Sequence, residues 1–159
     1  PLWHPTPEVR EVTAPKDRQR LVSDILKTLP DWFAQPEANA TYARQAASQN
    51  LRAMSQSGEA VGVIALEKST ADSWEITLLA VAPTHHRKGI GRKLVAAAPR
   101  HATKAGGTFL ITKTLSAQSP DPFYAKTRAF YRAMGFSDML ELPNHWAEHS
   151  PCLVLARTL

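Results

Sequence analysis

LLAVAPTHHRKGIGRKLV, residues 78–95, passes from an apolar run through a proline turn into two glycines that open a basic, amphipathic segment. Its first residues complete WEITLLAVA (74–82), bounded by Ala71-Asp72-Ser73 before and Pro83 after. Both alternating faces of that run are largely apolar, as in a strand near the middle of a sheet. From Gly89 the period changes: Ile90, Leu94, Ala98 and His101 fall on one side of a helix that ends at Gly106-Gly107. Pro99 lies inside this helix and cannot bond the Val95 carbonyl, a cost of about 3 kcal/mol or a kink. A bend or break is therefore expected near residues 95–99.

Between strand and helix stand His85, His86, Arg87, Lys88, Arg92 and Lys93. So much charge beside a Gly-x-Gly turn suits nucleic acid, a phosphate-bearing cofactor, or nothing more than a solvated helix end. A helix N-terminus leaves about four backbone N–H groups without intrahelical partners. Its dipole favours an anion by roughly 0.3–1 kcal/mol. Gly89 and Gly91 remove the Cβ atoms that would obstruct close approach, so the assembly would grip a pyrophosphate. Two familiar phosphate loops do not fit. No Gly-x-x-x-x-Gly-Lys-Ser/Thr is present, and the third glycine of a dinucleotide fingerprint would fall at Leu94.

Working outward, EVREV (8–12) reads as a first strand, followed by a helix with Thr13 as N-cap and Leu21, Val22, Ile25, Leu26 and Leu29 at helical spacing. A second helix is predicted from about Pro36 to Ser48. LRAMS (51–55) and AVGVIALE (60–67) flank a hairpin turn at Ser57-Gly58. After the glycine-opened helix come TFLITKTL (108–115), then a helix with Asp121 as N-cap, Pro122 as first residue and Gly135 as its stop. Phe123, Thr127, Phe130 and Met134 form a stripe on it that reads as core. FSDMLEL (136–142) and CLVLART (152–158) are the last strands. The order β-α-α-β-β-β-α-β-α-β-β predicts an α/β class with a mixed sheet and helices on its faces.

At 159 residues, with 43% hydrophobic and 21% charged residues, the chain reads as one domain over 1–159. No apolar run approaches the roughly 20 residues that span a bilayer. The start, PLWHPTPEVR, is no signal peptide, and a cytoplasmic protein is expected. A single cysteine, Cys152, excludes an internal disulfide and any multi-cysteine zinc site, and fits a small core residue. His145 and His149 are four apart without a nearby third ligand, so no metal is expected. The net charge of +5 points to anionic partners without naming them.

LLAVAPTHHRKGIGRKLV resembles the coenzyme A motif of the GNAT superfamily of acetyl-CoA-dependent N-acetyltransferases: Arg or Gln, two residues, Gly, one residue, then Gly or Ala. AFYRAMGF (129–136) resembles the family's second signature, a helix ending Tyr-x-x-x-Gly-Phe. The element order is similar over nearly the whole chain, so the resemblance implies a GNAT-like fold with a splayed central sheet. It implies acetyl-CoA as cosubstrate, an amine acceptor and a possible homodimer. It also implies that backbone amides of Arg87, Lys88, Gly89, Ile90, Gly91 and Arg92 hold the pyrophosphate. The strand edge at Leu79, Ala80 and Val81 would pair with the pantetheine arm.

Acetyl transfer needs an amine without its proton and a proton for the leaving thiolate. Deprotonating an amine of pKa about 10.4 at pH 7 costs on the order of 4–5 kcal/mol, which a carboxylate base can help supply. Tyr131 matches the family tyrosine that faces the coenzyme sulfur, and Tyr124, nearly two turns earlier, shares its face. Glu75, eleven residues before His86, stands where some histone-modifying members carry a base glutamate. Solvent exposure at a strand start is its bland alternative, as packing is for Tyr131. The resemblance nominates Asp31, Trp32, Phe33 and Tyr42, with His145 and Trp146, for the acceptor; Trp32-Phe33 reads equally well as a packing plug.

Two departures stand out. His86 occupies the place of the motif's Arg or Gln, and an imidazole donates fewer hydrogen bonds. Tyr124 and Thr127 stand where many relatives have Asn and Ala. The sequence thus predicts an acetyl-CoA-dependent N-acetyltransferase. A non-catalytic acyl-CoA sensor and a nucleic-acid-binding module are the rivals; no evident stacking platform flanked by basic residues supports the latter.

Overall fold

A computed structural model describes residues 8–159. Most of the N-terminal stretch read above as no signal peptide lies outside the described residues. The elements follow the expected order: β1 (Arg10–Val12), α1 (Pro15–Leu26), α2 (Pro36–Ala46), β2 (Asn50–Gln56), β3 (Glu59–Lys68), β4 (Ser73–Val81), α3 (Ile90–Lys104), β5 (Phe109–Leu115), α4 (Pro122–Ala133), β6 (Ser137–Ala147) and β7 (Ser150–Thr158). The seven strands form one mixed sheet in the order β1-β2-β3-β4-β5-β7-β6. Pairing is antiparallel for β1–β2, β2–β3, β5–β7 and β6–β7, and parallel for β4–β5. The chain divides into two compact units, one holding residues up to Leu66 with Leu78–Ala97, the other Glu67–Thr77 with Ala98–Leu159.

In the first unit, Ser57 and Gly58 both have positive φ, 52° and 83°, the two-residue turn that matches strand twist between β2 and β3. Val22, Ile25, Leu26 and Leu29 pack with Ala46 against Leu51, Ala53, Val63, Ala65, Leu78 and Ala80. Each buried Val, Leu or Ile contributes roughly 1.5–3 kcal/mol. Thr13 is not the N-cap of α1. With Pro15 at the first helical position the cap falls on Ala14, which has no side-chain acceptor. Arg18 secures this end instead, donating from Nε to the Val12 carbonyl at 2.6 Å and from Nη1 to the Ala47 carbonyl at 2.9 Å.

Val63 and Ala65 face α1 and α2, so by strand alternation Gly62 faces the other way. A Cβ there would stand 2.7 Å from Ile90 Cγ2 and 2.9 Å from Leu94 Cδ1, both on α3. The bare backbone of β3 therefore lets the first turns of α3 approach closely.

In the second unit, Asp121 Oδ1 accepts from the Phe123 N–H at 3.0 Å, capping α4 as expected. Gly135, at φ 92°, ends it: Gly135 N–H bonds the Arg132 carbonyl and Phe136 N–H the Tyr131 carbonyl, both at 3.1 Å. This is the Schellman arrangement. Of the stripe expected to be core, Phe123 is exposed while Thr127, Phe130 and Met134 are half-buried; Arg128 and Tyr131 are the buried residues of α4. Tyr124, Arg128 and Tyr131 share one helical face, and that face turns further inward than the one through Phe123.

The expected break at Pro99 is absent, and α3 is one continuous helix from Ile90 to Lys104. Leu94, Val95, Ala98 and Ala102 are each fully buried, and packing of that extent outweighs the one helical hydrogen bond that proline forfeits. Strand β6 runs past Pro143 to Ala147, longer than predicted, as the outermost strand of the sheet. Its ladder with β7 is irregular between Asp138 and Leu140 and again between Leu142 and Ala147.

Overpacking beneath α3 is the most exposed weakness of this arrangement. Gly62→Val should lower unfolding free energy by about 1–3 kcal/mol in urea denaturation, while Gly58→Asn, at the tolerant hairpin turn, should change it by well under 1 kcal/mol.

Candidate active site

In the first unit, a short 3-10 turn at Pro83–His85 follows β4. His86 is extended, with φ −62° and ψ 148°; Arg87 then takes φ 61° and Gly89 φ 77°. Left-handed residues set between ordinary ones turn successive N–H groups toward one side, making an anion-binding concavity. Lys93 N–H bonds the Gly89 carbonyl at 3.1 Å, closing the first turn of α3, so Ile90, Gly91 and Arg92 present their N–H groups ahead of it. Space is open at Gly89, with no atom within 4 Å of where a Cβ would stand. Arg87, Lys88, Arg92 and Lys93 are exposed, and none forms an ion pair among the described residues.

Arg87 is the costly member. A non-glycine residue in the left-handed region costs roughly 1–2 kcal/mol, and its charge is the evident return for that strain.

His86 is not left to the loop alone. Its Nε2 donates to the Val81 carbonyl at 2.7 Å, and its ring meets the edge of Trp32 with centroids 5.3 Å apart. The imidazole thus joins the end of β4 to the segment between α1 and α2. Leu79 and Val81 are half-buried and Ala80 is buried in the core. Trp32, Phe33 and Tyr42 come together in this same unit at the margin of its core, with Phe33 and Tyr42 edge to face at 5.9 Å. Asp31 beside them is exposed.

In the second unit the register assigns the remaining candidates to faces, because residues paired across strands point the same way. Glu75 pairs with Ile111, which puts it on the face of Lys113, Cys152 and Leu142. Lys113 Nζ lies 3.2 Å from Glu75 Oε1. Burial pushes the Cys152 thiol up; Lys113 partly opposes this and Glu75 adds to it. Trp74 and Thr112 point the opposite way, Trp74 meeting His101 of α3 at 4.9 Å. On that second face Tyr131, 4% exposed, packs between Phe130 and Phe136, near the Thr112 hydroxyl. Its phenol is pushed up to about 12, chiefly by burial, with the Thr112 hydroxyl acting in the other direction.

Glu75 and Tyr131 therefore lie on opposite faces of the sheet. Tyr124 is half-buried on α4, while His145 and Trp146 are exposed on β6, 5.3 Å apart. Sequence reading missed Lys113, Thr112 and Arg128, whose Nη1 donates to the Leu115 carbonyl at 2.7 Å. A polar residue at alternate positions of an apolar strand was the available signal for the threonine. Gly62 inside AVGVIALE carried one too, since glycine in a strand marks close approach.

Two measurements follow. Arg87→Gly should be more stable than Arg87→Ala by about 1 kcal/mol, since both remove the charge and only glycine relieves the left-handed backbone; equal stabilities would contradict the strain. For Tyr131, a folded-state pKa above the unfolded value near 10 means the stabilisation is full below pH 10 and is lost as pH rises toward 12. That loss is on the order of 3 kcal/mol, and Tyr131→Phe should remove it from the alkaline unfolding curve.

The acetyltransferase (GNAT) domain family matches residues 47–138, more than half the chain. No curated protein matches it in sequence. Among solved structures, a GNAT-family protein from Desulfovibrio desulfuricans superposes with a TM-score of 0.83 at 20% identity, covering 96% of this chain and 99% of that one. The ribosomal-protein-S18-alanine N-acetyltransferase from Escherichia coli gives 0.77 at 16% identity, covering 96% and 94%. An aminoglycoside 6'-N-acetyltransferase complexed with coenzyme A gives 0.74 at 20% identity, covering 94% and 96%. At these identities the structures speak to the fold, which is theirs throughout. With the family match across its central strands, glycine loop and α4, the chain belongs to the GNAT acetyltransferase family.

Proposed function

We propose that this chain is an N-acetyltransferase that moves an acetyl group from acetyl-CoA to an amine by direct attack on the thioester. The observation that carries the reading is the loop His86–Gly91: left-handed Arg87 and Gly89, open space at Gly89, and free N–H groups at the start of α3. These residues fit a pyrophosphate, with Arg87, Lys88, Arg92 and Lys93 supplying the surrounding field. The β4–β5 ladder spans only Ser73–Ile76 against Phe109–Thr112, and β4 then continues to Val81. Leu79, Ala80 and Val81 offer backbone groups to the pantetheine amides, with Tyr124 on α4 as a further contact.

When bound, acetyl-CoA supplies the activated acyl group. The chain's own residues handle protons. Glu75 accepts the proton of the incoming ammonium, relieving the roughly 4–5 kcal/mol that deprotonation costs at neutral pH. Tyr131 presents its O–H to the departing thiolate from the opposite face. Trp32, Phe33, Tyr42, His145 and Trp146 are the residues assigned to the acceptor. A second reading, acyl-CoA binding without transfer, draws on one observation: Glu75 is already paired with Lys113 and Tyr131 is buried.

Acetyl-CoA incubated with an aminoglycoside, a peptide beginning with alanine and a set of small amines, with free thiol followed over time, tests the reading. Turnover on at least one amine is expected. Tyr131→Phe should lower kcat by about a hundredfold, and Glu75→Gln should lower it and move the optimum to higher pH. Coenzyme binding by calorimetry with no turnover on any amine would favour the sensor. Salt-sensitive binding of DNA or RNA without coenzyme affinity would remove both readings.

A further inference from the structure

The Val81–Ala82 peptide is trans, so its N–H and C=O point in opposite directions. The Ala82 N–H goes to the Val61 carbonyl of β3 at 2.9 Å. The Val81 carbonyl therefore faces the other edge of β4, the edge whose ladder with β5 has already ended at Ile76–Thr112. In place of a strand, the His86 imidazole fills it, donating from Nε2 at 2.7 Å across the Pro83–His85 turn. The same ring stands at 83° to the Trp32 indole, with centroids 5.3 Å apart. Backbone bonds already fix the segment that carries this indole: Trp32 N–H meets the Leu29 carbonyl at 3.2 Å, and Asn39 Nδ2 the Phe33 carbonyl at 2.9 Å. An Arg or Gln at position 86 could also donate to a carbonyl. Neither offers an aromatic ring to set edge to face against an indole. The departure from the motif at His86 and the tryptophan between α1 and α2 are thus two halves of one contact.

We propose that His86 is a positioning residue for the acceptor amine, acting through Trp32: anchored on the Val81 carbonyl, its ring holds the indole beside the strand edge that takes the pantetheine arm. This rests on the readings of Trp32 and of the β4 edge given above. A carbonyl has two lone pairs, so a pantetheine amide can bond Val81 while the imidazole keeps its own bond. The ring then stands between the two substrates, fixed at one side to the strand that carries the coenzyme and at the other to the indole that borders the amine. It forms no bond to the acceptor and carries no proton in the reaction. What it contributes is the direction from which the amine meets the thioester, and so which amines fit.

His86→Gln and Trp32→Leu, alone and combined, test this with the amine that supports turnover. Glutamine can still donate to the Val81 carbonyl but has no ring for Trp32. In His86→Gln, kcat/KM for the amine should fall about tenfold, with the Kd for acetyl-CoA by calorimetry changed less than about twofold. In the Trp32→Leu background the same substitution should cost nothing further. An unchanged kcat/KM in His86→Gln, or an equal loss in both backgrounds, would overturn the proposal. So would a loss of acetyl-CoA affinity as large as the loss on the amine, because His86 would then act on the coenzyme alone. Wild-type kcat/KM in Trp32→Leu is a different result: it removes the reading of Trp32 and the proposal with it. A measurement without any acceptor decides the contact itself. Acrylamide should quench the Trp32 emission, taken as the difference between proteins with and without Trp32→Leu, more readily in His86→Gln than in wild type; equal quenching would show that His86 does not hold the indole.

Discussion

Parallel pairing between β4 and β5 lasts four rungs, Ser73–Ile76 against Phe109–Thr112, and then stops. Both strands go on, β4 to Val81 and β5 to Leu115, while β5 keeps its antiparallel partner β7 as far as Leu115–Cys152. A sheet that loses a ladder in its interior leaves backbone donors and acceptors to be satisfied by something else. The His86 imidazole takes the Val81 carbonyl at one end, and the Thr112 hydroxyl takes the Ile76 carbonyl where the ladder stops.

The second constraint is how near a helix can come to a strand. Gly62 admits Ile90 and Leu94 to distances no side chain would allow. The first turn of α3 is thereby set against β3, and the loop before it must reverse within a few residues. Positive φ at Arg87 and Gly89 accomplishes that reversal. Glycine alone would do so without strain, so the arginine adds charge at a conformational cost. Stability and local positive charge pull in opposite directions at that one position.

Much of this was legible in the chain. The change of period at Gly89, the Asp121-Pro122 start and the Gly135 stop of α4, and the Ser57-Gly58 turn each rest on local stereochemistry, and each holds. The failures share a cause. Pro99 looked like a break because only its missing N–H is visible in sequence, whereas the burial of Leu94, Val95, Ala98 and Ala102 is not. Phe123 looked like core because its hydrophobicity is visible in sequence, whereas the burial of Arg128 and Tyr131 on the neighbouring face is not. The fold and the glycine loop follow from patterns that repeat along the chain. The Glu75–Lys113 pair joins residues 38 positions apart, and no periodicity connects them.

The outer strand β6 has a consequence for the company this protein keeps. Met139, Leu140 and Trp146 are exposed along a strand whose other edge has no neighbour in the sheet order, a combination that ordinarily recruits foreign strands and seeds aggregates. Two irregularities in its pairing and a proline at 143 interrupt it. Between them only Leu140, Glu141 and Leu142 pair regularly with β7, and a short or bulged edge is one way sheets blunt this hazard. The distortions that make β6 look ragged work against foreign pairing at an edge whose composition alone would invite it.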